Sequence, residues 1–312
     1  MVTQNVIMSV LIGIVITGVF PVLGGIIMLA MGKIRGSSFW AGVLAYIIAM
    51  VAYTIVSSIY AVFTMDMSNI ASVAEGVQSP TIIIVMSLIL AVFMALSMGI
   101  CIGGCMKLRT FKAAISCGLG YGVSYLLTVA ISFVSMYFQF VQVNSGAFDA
   151  TYANLIENGF MTKEDFNALK SQIVSASSSD VIMTTVNAVI YALLYAAIAV
   201  FIMRGVCSKN TFTGIAVSAL VTAAASLPAA IPNTYAAVAI GAAISVGAFV
   251  LAWTMKEKII PPQKQTVPDP FLQTVENSRQ DEGNHQQDEG NLRQDVEDPQ
   301  QGGEDSQQGG EE

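Results

Sequence analysis

Ile182-Met-Thr-Thr-Val-Asn-Ala-Val-Ile-Tyr-Ala-Leu-Leu-Tyr-Ala-Ala-Ile-Ala-Val-Phe-Ile-Met203 is an uncharged stretch that begins just after Asp180 and ends on Arg204. A bilayer-spanning helix takes about 20 apolar residues. In lipid the backbone must satisfy its own hydrogen bonds, and a continuous apolar run does so as a helix. The run lacks the apolar/polar alternation of an outer-membrane barrel strand.

Working outward from it, six further runs have the same character. The spans are expected near 5–32, 38–64, 81–106, 111–138, 182–204, 211–231 and 234–255. The fold expected is therefore all-α: a polytopic membrane bundle of about seven transmembrane helices over residues 1–258, followed by a disordered acidic tail over 259–312. The first run has no Lys/Arg-rich start and is too long for a signal-peptide core, so it is read as a retained helix. Pro21 within it removes a backbone donor and crowds the preceding turn, which predicts a kink.

Composition agrees. Of 312 residues, 54% are hydrophobic and 11% charged, well below the quarter usual in soluble domains. Mean hydropathy is +0.65. A soluble globular enzyme is excluded. The net charge of −7 hides an asymmetry. The tail carries three Lys/Arg against thirteen Asp/Glu, a net of −10, whereas the body has eleven against eight, a net of +3.

Loop charges alternate. Lys33 and Arg35, then Lys107, Arg109 and Lys112, then Arg204 and Lys209, then Lys256 and Lys258 mark one side. Acidic or neutral loops mark the other. The positive-inside rule predicts an integral protein of the cell membrane with its N-terminus outside and its C-terminus cytoplasmic. An odd number of spans agrees with that.

Residues 139–181 form the one sizeable outer loop. Thr162 followed by Lys163-Glu164-Asp165 reads as a helix start, with acids in the first turn. Phe166, Leu169, Ile173 and Val174 then share one face. A short amphipathic helix is expected there, packing on its own bundle or lying at the membrane surface.

The tail after Pro261-Pro262 repeats Gln280-Asp-Glu-Gly-Asn284 at Gln287–Asn291, and Gln300-Gln-Gly-Gly-Glu-Asp305 at Gln307–Glu312. The period is seven, but no heptad has two apolar positions, so this is not a coiled coil. Gln, Gly and like charge predict disorder. The tail is read as a solvating appendage or a docking segment for a cytoplasmic protein.

Residues able to carry chemistry are few. The single histidine, His285, lies in the tail. The interiors of the spans lack Asp, Glu, Lys and Arg, whereas ion pumps and proton-coupled carriers keep an ionisable group within the bilayer. No cofactor, metal or nucleic acid is expected; the partners expected are membrane lipid and a membrane protein. Cys101, Cys105, Cys117 and Cys207 fall toward one leaflet and are read as small apolar packing groups, with a thiolate metal site or lipidation as alternatives.

Gly99 and Gly103 in the third span, and Gly118, Gly120 and Gly122 in the fourth, are small residues at spacings that let helices approach closely. These two spans are expected to form a tight hairpin through the basic turn Lys107–Thr110. Tyr121 and Tyr125, one turn apart, are expected to point into a central cavity with Ser124 nearby.

The stretch from Ala95 to Leu127 resembles the YhfC-type family of intramembrane metallopeptidase-like proteins, relatives of the CAAX-processing and PrsW-type membrane proteases. The family pattern is a helix with Ala-Gly-x-x-Glu-Glu-x-x-Arg, a basic turn, then Gly-Leu-Gly-His-Gly-Gly-x-Glu. Here the chain reads Met98-Gly99, then Leu108-Arg-Thr-Phe-Lys112, then Gly118-Leu-Gly-Tyr-Gly-Val-Ser-Tyr125. Ser226-Leu-Pro-Ala-Ala230 resembles the family's Pro-Ala-Ala segment. By this resemblance the Glu-Glu pair falls on Ile102 and Gly103, the motif His on Tyr121 and its Glu on Tyr125. A further Glu falls on Asn187, a His on Tyr195, and the last His and Asp on Thr222 and Ser226. None of these supplies a zinc ligand set and a general base. The resemblance implies a retained fold without the metal site: a catalytically inert protein that binds a membrane segment, lipid or partner protein. A channel or carrier for a small neutral solute is the alternative, and an active peptidase the third reading.

Overall fold

In the computed structural model the described residues are 1–64, 80–107, 109–159, 161–231 and 233–259. The expected tail lies almost wholly outside them. All regular elements among them are helical. We number them α1 (Gln4–Ala30), α2 (Gly36–Thr64), α3 (Pro80–Ile100), α4 (Phe111–Ser145), α5 (Ala147–Glu157), α6 (Lys163–Val174), α7 (Ser178–Cys207), α8 (Thr211–Ser226) and α9 (Thr234–Thr254). Six of them, α1, α2, α3 with its C-terminal extension, α4, α7 and α9, are long and apolar enough to cross a membrane. The chain is a multi-pass helical membrane protein.

The seventh expected span is shorter than anticipated. α8 ends at Ser226, and Leu227–Ala230 forms a single 3₁₀ turn. The reason is Pro228: it has no N–H to continue the ladder, and its ring crowds the preceding turn. In α1, where Pro21 is expected to kink the helix, the hydrogen-bond ladder changes register just before it. Val15–Val19 widen into a π turn just before Pro21, which then sits in the first turn of the following α segment. A π turn shifts the hydrogen-bond register, and a proline without an N–H is tolerated at such a restart. Thr17, wholly buried, donates its hydroxyl to the Gly13 carbonyl at 2.8 Å within the same stretch.

The outer segment also departs from expectation. α4 continues to Ser145 instead of stopping near 138, and Gly146, at φ 77°, turns the chain directly into α5, a helix not anticipated. α6 begins where read, at Thr162. Its hydroxyl accepts from the Asp165 N–H at 3.1 Å, while the Asp165 carboxylate accepts from the Thr162 N–H, a complete capping box. Its apolar face packs on the bundle: Ile173 is buried, with Phe166, Leu169 and Val174 around Phe133, Phe140 and Phe148. The helical-loop reading holds, and this cluster covers one end of the bundle.

α7 is the most buried of the spans. It packs on α4, α8 and α9, and α2 closes on the other side of α4. Val2 and Trp253 lie at opposite ends of the bundle. Val2 pairs with Asn144 at the far end of α4, its N–H donating at 2.7 Å and its carbonyl accepting at 3.1 Å. At the other end, Lys112 donates to the Gly32 carbonyl at 2.7 Å, Ser116 accepts from the Arg35 N–H at 2.9 Å, and Phe111 meets Trp253 edge-on. The basic turns thus gather at one end.

The expected hairpin of the third and fourth spans is corrected. Gly118 faces the Tyr195–Ala196 backbone of α7, and Gly122 faces Ala192 of the same helix. Gly120 lies against the Phe39 carbonyl of α2, and Gly42 of α2 reciprocally lies against the Cys117 carbonyl of α4. The glycines of α4 bring α2 and α7 onto it, not α3. Gly99 meets Ile215 of α8, and Gly103 faces open space. The physical reason is that three glycines two apart point to different sides of a helix, so they serve two neighbours.

Candidate functional site: a tyrosine cluster at the centre of the bundle

Between α2, α4 and α7 lie five tyrosines. Tyr121 meets Tyr46 edge-on with ring centroids 5.2 Å apart, and meets Tyr195 at 4.8 Å. Tyr195 meets Tyr125 at 5.2 Å, and Tyr191 lies 6.2 Å from Tyr125 and 6.3 Å from Tyr195. Such edge-on and tilted pairs set the positive edge of one ring near the negative face of the next. The glycines make the cluster possible. Without side chains at Gly42, Gly118 and Gly120, the α2–α4–α7 backbones approach closely and the tyrosines must fill the space alongside.

The hydroxyls fall into two groups. Tyr46 donates to Thr128 Oγ1 at 2.6 Å, and Thr128 donates to the Ser124 carbonyl at 3.2 Å. Tyr191 donates to the Ala225 carbonyl at 2.8 Å, beside the Ser226 hydroxyl, where α8 gives way to its 3₁₀ turn. Tyr121 is the exception. Its residue is 1% exposed and its hydroxyl has no hydrogen-bond partner. An orphaned buried hydroxyl costs about 1–3 kcal/mol. Ser245 Oγ in α9 is the other such atom among the described residues.

The structure brings several of the expected positions together and leaves others apart. Tyr121, Tyr125 and Tyr195 are in ring contact, and Ser226 joins through Tyr191. Thr222 is buried and donates to the Ser218 carbonyl at 2.8 Å, while Ser226 donates to the Thr222 carbonyl at 2.9 Å. Ser124 donates to the Gly120 carbonyl at 3.0 Å. Asn187 is half-buried one turn before Tyr191. Ile102 is in the same apolar core, within a π turn, and Gly103 is exposed. Tyr121 does not line an open cavity as expected: packed between Tyr46 and Tyr195, it fills the core.

Tyr46 and Tyr191 were missed. Tyr191 and Tyr195 have the same one-turn spacing as Tyr121 and Tyr125, and that repeated Tyr-x-x-x-Tyr was the available signal. Tyr46 carried none beyond being a lone polar tip in an apolar helix.

The four cysteines are free thiols. Cys101 and Cys117 are buried, Cys207 is partly buried and Cys105 is exposed. Among the described residues no three His, Cys, Asp or Glu side chains come together in an arrangement that could hold a metal ion. The centre therefore offers neutral hydroxyls and aromatic faces: it can donate and accept hydrogen bonds and stack, but has no carboxylate or imidazole to move a proton at neutral pH.

Compared with known proteins, the chain matches no family model, no curated protein and no solved structure.

Proposed function

We propose that this protein is a catalytically inert, peptidase-like membrane protein whose tyrosine-lined centre binds a neutral hydrogen-bonding group of a membrane segment, lipid or partner protein. One observation carries the reading. The positions that correspond, by the resemblance to YhfC-type proteins, to separated metal-site motifs are Tyr121 and Tyr125 on α4, Tyr195 on α7 and Ser226 on α8. They converge at one place. Positions on three different helices, 31 (Tyr195 to Ser226) to 105 (Tyr121 to Ser226) residues apart, have no local reason to meet, whereas a former metal site would require it. Tyrosines in place of ligands turn such a site into a neutral one. The buried Tyr121 hydroxyl is an unfilled donor, and an acceptor that completes it has to displace a neighbouring ring from the packed core.

In this reading the protein sits in the cell membrane with the basic end of the bundle cytoplasmic. The acidic tail is then also cytoplasmic and docks a cytoplasmic protein.

The test is photocrosslinking in native membranes from p-benzoylphenylalanine placed at Tyr125, which is half-buried. The expected product is an intact adduct with a membrane protein or lipid. A crosslinked protein recovered as cleaved fragments, with cleavage stopped by a chelator, contradicts inertness. Saturable uptake of a neutral solute into proteoliposomes would favour the carrier reading instead.

A further inference from the structure

At the basic end of the bundle, away from the tyrosines, α7, α8 and Met255 after α9 line a half-open cavity of about 350 Å³. Its apolar lining includes the buried Phe201 and the exposed Val217; its polar lining is Arg204, Ser208, Asn210 and Thr213. Arg204 occupies the last turn of α7 and is partly buried. Its guanidinium donates to the Met255 sulfur at 3.2 Å. A thioether is a weak acceptor, and it leaves most of the five guanidinium donors unused. Among the described residues the one ion pair is Lys170–Asp149, on the outer helices. Arg204 lines the cavity, and among the described residues no carboxylate lies within 4 Å of it.

The other polar groups complete a donor set. Asn210 spends its Oδ1 on the Thr213 N–H, which leaves its amide N–H₂ as the free part of the side chain. The Thr213 hydroxyl is at the same rim. Ser208 already donates to the Gly205 carbonyl at 3.1 Å and contributes mainly shape. The cavity exists because Gly205 and Gly214 let α7 and α8 touch backbone to backbone beside it: a Cβ on Gly205 would lie 2.9 Å from the Gly214 Cα. A planar guanidinium with free forks suits phosphate oxygens. With the basic end of the bundle at the cytoplasmic surface, as proposed above, Arg204 in the last turn of α7 sits where phospholipid phosphates lie.

We propose that this cavity is a binding site for a phosphate group, held by Arg204 with Asn210 and Thr213, and carried either by an anionic phospholipid or by free phosphate. Occupied, it links the end of α7, the start of α8 and the residue after α9 at the basic end of the bundle.

The experiment uses the full-length protein in a neutral detergent. Dioleoyl-phosphatidylglycerol is titrated and the singly bound species is read by native mass spectrometry. Parallel arms use dioleoylglycerol, which lacks the phosphate, and inorganic phosphate as competitor. The expected result is one tight phosphatidylglycerol per chain, with no comparable dioleoylglycerol binding. Arg204→Gln should weaken it by about tenfold or more, as expected for a lost charge-assisted hydrogen bond. Thr213→Val should weaken it less, and Lys209→Gln, which removes an equal charge on the exposed surface nearby, should leave it unchanged. Displacement by millimolar inorganic phosphate identifies free phosphate as sufficient; resistance identifies the lipid as the source. Equal loss in Arg204→Gln and Lys209→Gln, or binding of dioleoylglycerol equal to phosphatidylglycerol, overturns the proposal. Arg204→Lys keeps the charge without the fork and guards against a folding defect: it should retain part of the affinity, and full affinity would refute the guanidinium's role.

Discussion

Tyr121 on α4 and Tyr195 on α7 stand with ring centroids 4.8 Å apart, tilted by 57°, at the centre of the bundle. Their contact is where two Tyr-x-x-x-Tyr turns from distant parts of the chain meet, and the Tyr121 hydroxyl ends there without a partner. The ring and the hydroxyl make opposite contributions. Tyr121→Phe removes only the orphaned atom and should leave stability unchanged or raise it by about 1 kcal/mol. Tyr121→Ala removes the ring and should cost about 3–5 kcal/mol, as for large buried aromatics. Thermal unfolding in detergent separates the two. A clear loss in Tyr121→Phe would mean that the hydroxyl already has an acceptor. By the proposed function, Tyr121→Phe should nonetheless weaken partner capture.

Gly42 and Gly120 form a reciprocal contact, each facing a carbonyl of the other's helix. A methyl group at either position would collide with backbone, which cannot rotate away. Gly120→Ala and Gly42→Ala should each lower stability by about 1–3 kcal/mol or more, and Gly120→Leu further. Gly103→Ala meets nothing and should be neutral. Equal effects at Gly103 and Gly120 would remove the packing argument.

Lys209 has φ of 60°, in the left-handed region, immediately after the Ser208 cap of α7. The Lys209 N–H bonds the Val206 carbonyl at 3.3 Å and the Asn210 N–H bonds the Gly205 carbonyl at 2.9 Å, a helix-ending pattern that favours glycine. Lys209→Gly should stabilise by roughly 0.5–1 kcal/mol, since a Cβ in this conformation costs about 1–2 kcal/mol and glycine's unfolded-state entropy returns part of it. A lowered melting temperature would show that the lysine side chain makes a compensating contact.

The capping box at Thr162 gives a local test. Thr162→Ala should cost about 1 kcal/mol and speed amide exchange at Asp165 and Phe166, while leaving the spans unaffected. Unchanged exchange there would mean that α6 is held by its apolar face alone.

The sequence carried much of this architecture because lipid leaves so few choices. An uncharged run such as Ile182–Met203 has to be helical, and the basic turns mark one end. It carried less about partners. Glycines 118, 120 and 122 announce close approach but not to which helix, and only the packed bundle assigns Gly120 to Phe39 and Gly118 to Tyr195–Ala196. The end of α8 was misplaced because hydropathy runs smoothly through Leu227–Ile231 while Pro228 interrupts the hydrogen bonds. Two of the five clustered tyrosines were visible as one-turn spacing at Tyr121 and Tyr125, and Tyr195 entered through the family resemblance. Tyr46 joined it through a contact between α2 and α4 that no local pattern encodes.

The central claim is that the converging motif positions form a neutral binding centre instead of a metal site. Zinc content of purified full-length protein, by plasma mass spectrometry after brief dialysis, tests it most directly. The account predicts zinc far below one per chain, equal in the parent and in Tyr121→Phe; one zinc per chain, lost on substitution of Tyr121, Tyr125 or Tyr195, would contradict it.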